Sequence, residues 1–135
     1  MTLTDWPVGL RPIRRRDMTA WREVRLVNRD WLRPWDATPP DGSTMAPSFA
    51  AMVSTLRREA RAGRAMPFVV THEDRLVGQL TVGGITYGSL RAGHIGYWVD
   101  ERVAGRGITP TAVALAGDHC YRVLGLHRLE ISPRP

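Results

Sequence analysis

The stretch Ile95-Gly-Tyr-Trp-Val99, Asp100-Glu-Arg-Val-Ala-Gly-Arg-Gly107, Ile108-Thr-Pro110 joins a β-type run to a helical one through a loop with two glycines and two arginines. Glycine lets the backbone take a positive φ and approach a ligand closely. The start of a helix offers unpaired N–H groups and the positive end of the peptide dipole. Arg102 and Arg106 add charge-assisted donors suited to phosphate oxygens. Thr109 and Pro110 suit a first helical turn, where a missing proline N–H costs little. The loop therefore reads as a pyrophosphate cradle; a glycine-rich turn that binds nothing is the other reading of the same residues. Two better-known phosphate motifs fail. G-x-x-x-x-G-K-[ST] needs a lysine, and the chain has none. G-x-G-x-x-G needs a third glycine where Gly105-Arg-Gly107 is followed by Pro110.

Downstream, the spacing predicts a helix over Thr109–Leu124 and a strand over Arg128–Ser132, long enough together for a parallel crossover. Upstream, Met66–Thr71, Leu76–Thr86 and His94–Val99 read as strands. They are joined by turns at Glu73-Asp-Arg75 and Gly88–Arg91, which makes an antiparallel meander. Gly83-Gly84 suggests a bulge or a close approach within the second strand. Ser48 is placed to cap an amphipathic helix, with Phe49, Met52, Val53 and Leu56 inward, Arg57, Arg58, Glu59 and Arg61 outward, and Gly63 ending it. Asp17 is placed to cap an earlier helix, with Met18, Trp21, Val24 and Leu26 following near helical spacing. Leu10–Ile13 reads as a short strand, placed at an edge by Pro12. Asn28–Trp35 reads as a short helix stopped by Pro34, and Asp36–Pro47 as a Pro/Gly-rich loop. Helices, then a meander, then one βαβ unit make an α/β domain with a mixed sheet, spanning residues 1–135.

At 135 residues, 43% hydrophobic and 24% charged, the chain supports one domain with a core of its own. No apolar run approaches the ~18 residues of a membrane span, and Met1–Trp6 lacks the pattern of a secretory signal. The lone Cys120 excludes an internal disulfide framework and predicts a cytoplasmic setting. His72, His94, His119 and His127 are scattered, so no metal site is expected. His119 and Cys120 point to different helix faces, and a buried helical cysteine is usually core. The net charge of +6 comes from nineteen bases, all arginine. Their dispersal argues against nucleic acid as a direct ligand.

Arg102-Val-Ala-Gly-Arg-Gly107 matches the acetyl-CoA signature [Q/R]-x-x-G-x-[G/A], and the chain resembles the GNAT superfamily of N-acetyltransferases. Ile95–Val99 looks like the strand that meets the pantetheine arm there, and Gly125-Leu-His-Arg-Leu-Glu-Ile131 like the strand after the cofactor helix. Leu10–Ile13 and Asn28–Trp35 are similar to the RimJ/RimL branch, which acetylates protein N-termini. The resemblance implies acetyl-CoA in a cleft between the third meander strand and the last strand. Tyr97, Trp98 and Val99 would pair with the pantetheine. Backbone N–H groups of Val103, Ala104, Gly105, Arg106, Gly107 and Ile108 would hold the pyrophosphate, with Arg102 and Arg106 as side-chain helpers. An amine would attack the thioester directly, which requires a proton acceptor and an acid for the thiolate.

His94 and Glu130 are the candidate bases; a solvent-facing histidine and a structural salt bridge are the alternatives. Trp31 and Trp35 are placed as a wall of the acceptor pocket or as packing beneath the following loop. Asp36 and Asp41 would attract a charged amine. The expected activity is acetyl transfer to the α-amine of a protein N-terminus. A small-molecule amine as acceptor, or a CoA-binding module without catalysis, stands beside it. The family continues past its cofactor unit with a turn, a helix and a hairpin, so the resemblance also implies that the C-terminal part is missing here.

Overall fold

β-Branched and aromatic residues dominate Met66–His72, and in the computed structural model, which describes residues 1–32 and 48–133, this run is an inner strand buried over all but its two end residues. The strands are β1 (Leu3–Asp5), β2 (Val8–Pro12), β3 (Met66–His72), β4 (Arg75–Gly83), β5 (Ala92–Val99) and β6 (Arg128–Pro133). They lie side by side in chain order, with every neighbouring pair antiparallel except β5 and β6, which are parallel. The helices are α1 (Met18–Val27), α2 (Arg29–Leu32), α3 (Phe49–Arg61) and α4 (Ile108–Arg122). This is the mixed-sheet α/β arrangement expected, with a meander followed by a β5–α4–β6 crossover.

Strand alternation divides the core between the two faces. On one, Ile108, Ala112, Ala116 and Cys120 of α4 pack on Leu10, Phe68, Val70, Leu80, Val82 and Ile95. On the other, Phe49 and Val53 of α3 meet Ile13 and Val69, and Val24 of α1 meets Trp98. Each large apolar side chain so buried contributes roughly 1.5–3 kcal/mol. The alanines of α4 let that helix lie close to the sheet. Ser48 Oγ accepts from Ala51 N–H at 3.1 Å, so α3 starts where its cap was expected.

Several expectations are corrected. β2 is an interior strand, paired with β1 from Val8 to Leu10 and with β3 from Val8 to Pro12. Pro12 is tolerated because the β1 pairing has ended before it. Leu26 is 67% exposed, since Trp21, Val24 and Asn28 carry the inner stripe instead. Asp17 occupies the position before α1 without capping it. Its carboxylate binds the Arg11 guanidinium at 2.7 and 2.9 Å and accepts from Arg14 N–H at 2.8 Å. β4 ends at Gly83 rather than Thr86, and the register shift lies in β3, between Val70 and Thr71. The expected helix at Asn28–Trp35 is seen as α2; its remainder and the loop Asp36–Pro47 lie outside the described residues.

Candidate functional site

β5 and α4 place the loop 100–107 at one end of the sheet. Gly105 and Gly107 have φ of +84° and +75°, a conformation that costs any other L-residue free energy. A Cβ built at either would meet no atom within 4 Å, so the space beside both glycines is open. Gly107 is the residue before α4, and no side chain caps that helix. The N–H groups of Val103, Ala104 and Arg106 are spent on turn carbonyls. Those of Gly105, Gly107, Ile108 and Thr109 have no acceptor among the described residues, and the first turn holds no acidic residue. The result is a positive, open, donor-rich concavity that fits an anion. Three of the six expected donors, Gly105, Gly107 and Ile108, face that role and Thr109 joins them, while Val103, Ala104 and Arg106 offer theirs to the turn.

The side chains divide differently from expectation. Arg102 folds back on Asp100, its Nε and Nη2 contacting the carboxylate at 2.7–3.1 Å, and its own N–H donates to Asp100 Oδ1 at 2.9 Å. Arg106 has no ion-pair partner among the described residues. The two arginines line a cleft of about 600 Å³ with Glu23, Val24, Arg75 and Val77. Burial acts to raise the Asp100 carboxyl, but the Arg102 guanidinium and N–H and the Asn28 amide outweigh it and hold the group below the ordinary carboxylate value.

Asn28, read only as the start of a helix, is 2% exposed and joins the loop to α1. Its Nδ2 donates to Val24 O at 2.8 Å and its Oδ1 accepts from Glu101 N–H at 2.8 Å. Gln79 was likewise missed. Its Oε1 accepts from Trp21 Nε1 at 3.0 Å and Trp98 Nε1 at 3.2 Å, and the Arg25 guanidinium lies over both rings. Trp98 therefore packs its ring toward α1 while its backbone stays in β5. The signal available was a polar residue at an alternating strand position between Gly78 and Leu80.

β5 and β6 are paired from Ala92↔Arg128 to Tyr97↔Pro133, so no cleft separates them there. Beyond Tyr97, Trp98 and Val99 are paired on the β4 side, with Gln79 and Gly78, and have no β6 partner among the described residues. His94 stands opposite Glu130 in register, and both are exposed. His94 Nε2 lies 2.8 Å from Ser132 Oγ, a partner that sequence reasoning did not find. All three belong to the sheet face that also carries Trp98. Trp31 packs on Val24 and Trp98, and its Nε1 is buried without an acceptor among the described residues. Trp35, Asp36 and Asp41 lie outside the described residues.

Among the described residues, no cluster of His, Cys, Asp or Glu is arranged to hold a metal, and no helix is long and apolar enough to cross a membrane.

Residues 8–135 match a family described as "Acetyltransferase (GNAT) domain". A probable N-acetyltransferase YjcK of Bacillus subtilis is 38% identical over 63 residues, 47% of this chain and 35% of that protein. The ribosomal protein uS5-alanine N-acetyltransferase of Escherichia coli is 23% identical over 123 residues, 88% of this chain and 63% of that one. The chain thus spans under two thirds of the length of these curated relatives. The structure of Mycobacterium smegmatis RimJ in complex with CoA-disulfide superposes with a TM-score of 0.88 at 40% identity, covering 100% of this chain and 68% of RimJ.

Proposed function

The chain belongs to the acetyltransferase (GNAT) family, and from that premise we propose that it transfers an acetyl group from acetyl-CoA to a primary amine, the α-amine of a protein N-terminus. The observation that carries the reading is the uncapped start of α4 behind two left-handed glycines, with open space where side chains would stand. Acetyl-CoA supplies an activated thioester when bound. The N–H groups of Gly105, Gly107, Ile108 and Thr109, with Arg106, hold its pyrophosphate, while Arg102 braces the loop through Asp100. The β5 backbone at Trp98 and Val99, which has no β6 partner among the described residues, orients the arm. Tyr97, flanked by Leu80 of β4 and Pro133 of β6, stands just before this contact.

His94 or Glu130 takes the proton of the attacking amine, and Ser132 orients the imidazole. Much of the rate comes from holding the two reactants in line. Trp31 lies on the same face, packed on Val24 and Trp98. The identity to a ribosomal-protein acetyltransferase and to RimJ supports a protein N-terminus as acceptor.

The test is acetyl-CoA binding by calorimetry, followed by turnover of labelled acetyl-CoA against N-terminal peptides and small amines. Product on peptides alone is expected. Product on small amines alone moves the acceptor class, binding without product favours a non-catalytic module, and no binding removes the proposal. His94→Gln and Glu130→Gln, followed as kcat/KM against pH, test the base; an unchanged rate and profile in both removes both residues from the role.

A further inference from the structure

Along α3, Phe49, Val53 and Leu56 are followed at the same helical spacing by Ala60, an exposed methyl where the first three are large and packed on the sheet. Ala65, buried just before β3, is equally short. Both alanines line one open cleft. A cleft of about 390 Å³ lies between the end of α3 and the β2–β3 pair, floored by Ile13, Met66 and Phe68. Its size falls in the range of small-molecule sites, roughly 300–1,000 Å³.

The lining of this cleft is also cationic. Arg14, just after β2, lines it with Arg57 and Arg61, which stand one helical turn apart on α3, and all three are exposed. None of the three has an ion-pair partner among the described residues, whereas Arg11, Arg64, Arg102 and Arg122 each have one. β2 and β3 are separated from β5 by β4, so this cleft is distinct from the loop at 100–107.

We propose that the cleft is a second binding site, for a small monocarboxylate with an apolar body. The chain or ring of the ligand lies against Ile13, Met66 and Phe68, and its carboxylate meets the planar forks of Arg57, Arg61 and Arg14. Three like charges in the lining repel an ammonium of the same shape. A polar anion gains from the rim but leaves the apolar floor uncovered. Only a molecule with both characters satisfies floor and rim together.

The experiment is calorimetric titration of the 135-residue chain with decanoate, decanol and decylamine. Decanoate is expected to bind saturably and one-to-one, decanol more weakly, and decylamine not at all. Arg57→Ala/Arg61→Ala, at exposed positions, is expected to weaken decanoate about tenfold or more. Coenzyme A affinity stays at the parent value in that variant. Ala60→Leu fills the cleft, and is expected to abolish decanoate binding with an unfolding temperature no lower than the parent's. Decylamine binding as tightly as decanoate, an absence of saturation, or unchanged decanoate affinity in either folded variant overturns the proposal. Should Ala60→Leu fail to fold, the arginine pair decides the matter alone.

Discussion

Asn28 ties together two segments 73 positions apart, because one amide serves the α1 carbonyl at Val24 and the loop N–H at Glu101. Removing it leaves a donor of Glu101 unpaired, which costs about 1–3 kcal/mol. Asn28→Ala should therefore lower the thermal unfolding midpoint and weaken coenzyme A in calorimetry, since the loop loses its anchor to α1. Nothing in the local sequence marked this residue, because its partner is chosen by how α1 packs and not by neighbours in the chain. The reverse holds for Cys120. A helical cysteine among alanines reads as core, and it is fully buried, with burial pushing its thiol up to about 11. A maleimide or disulfide reagent at neutral pH should leave native protein unlabelled and modify it in denaturant. Rapid labelling of the folded chain would contradict that placement.

The loop and the helix it opens behave as one element. Gly105 needs its φ of +84° but not the space beside its Cα, which is empty. Gly105→Ala should thus lose roughly 1–2 kcal/mol of stability from backbone strain and keep measurable coenzyme A binding. Gly105→Glu, at similar stability, should lose binding, because a carboxylate then occupies the anion's place. Retained affinity in folded Gly105→Glu would count against the assignment of the loop. Gly78 illustrates the opposite constraint. A Cβ there would run into the Trp98 carbonyl oxygen and Val99, so β4 can approach the end of β5 only with glycine at this position. Motif spacing announced the first pair of glycines, whereas the need at Gly78 comes from strand register alone. The same holds for β2, where Pro12 argued for an edge and pairing on both sides places the strand inside the sheet.

Across the whole molecule, two buried carboxylates set the acid limit of stability. Burial works against ionisation of Asp17, but the Arg11 guanidinium and the Arg14 N–H outweigh it, and Asp100 is held down in the same manner by Arg102. A carboxyl lowered on folding contributes stability that is complete above its unfolded value, 3.8 here, and is lost as pH falls below that value through the folded one. Unfolding temperature should therefore drop steeply on the acid side of this point, and Asp17→Asn/Asp100→Asn should flatten the profile. An equally steep fall in that variant would show that other groups govern it. The amino-acid sequence by itself determined the Ser48 cap, the amphipathic α3, the order of the meander and crossover, and the glycine loop before α4. Each of these depends on residues a few positions apart, which share a turn, a helix face or a strand face. Only the tertiary structure decided that Arg102 binds Asp100 while Arg106 stays open, that Asn28 reaches Glu101, and that His94, Glu130 and Ser132 meet on one face. Those pairings follow from strand register and helix packing, which bring together side chains whose separation along the chain carries no sign of their contact.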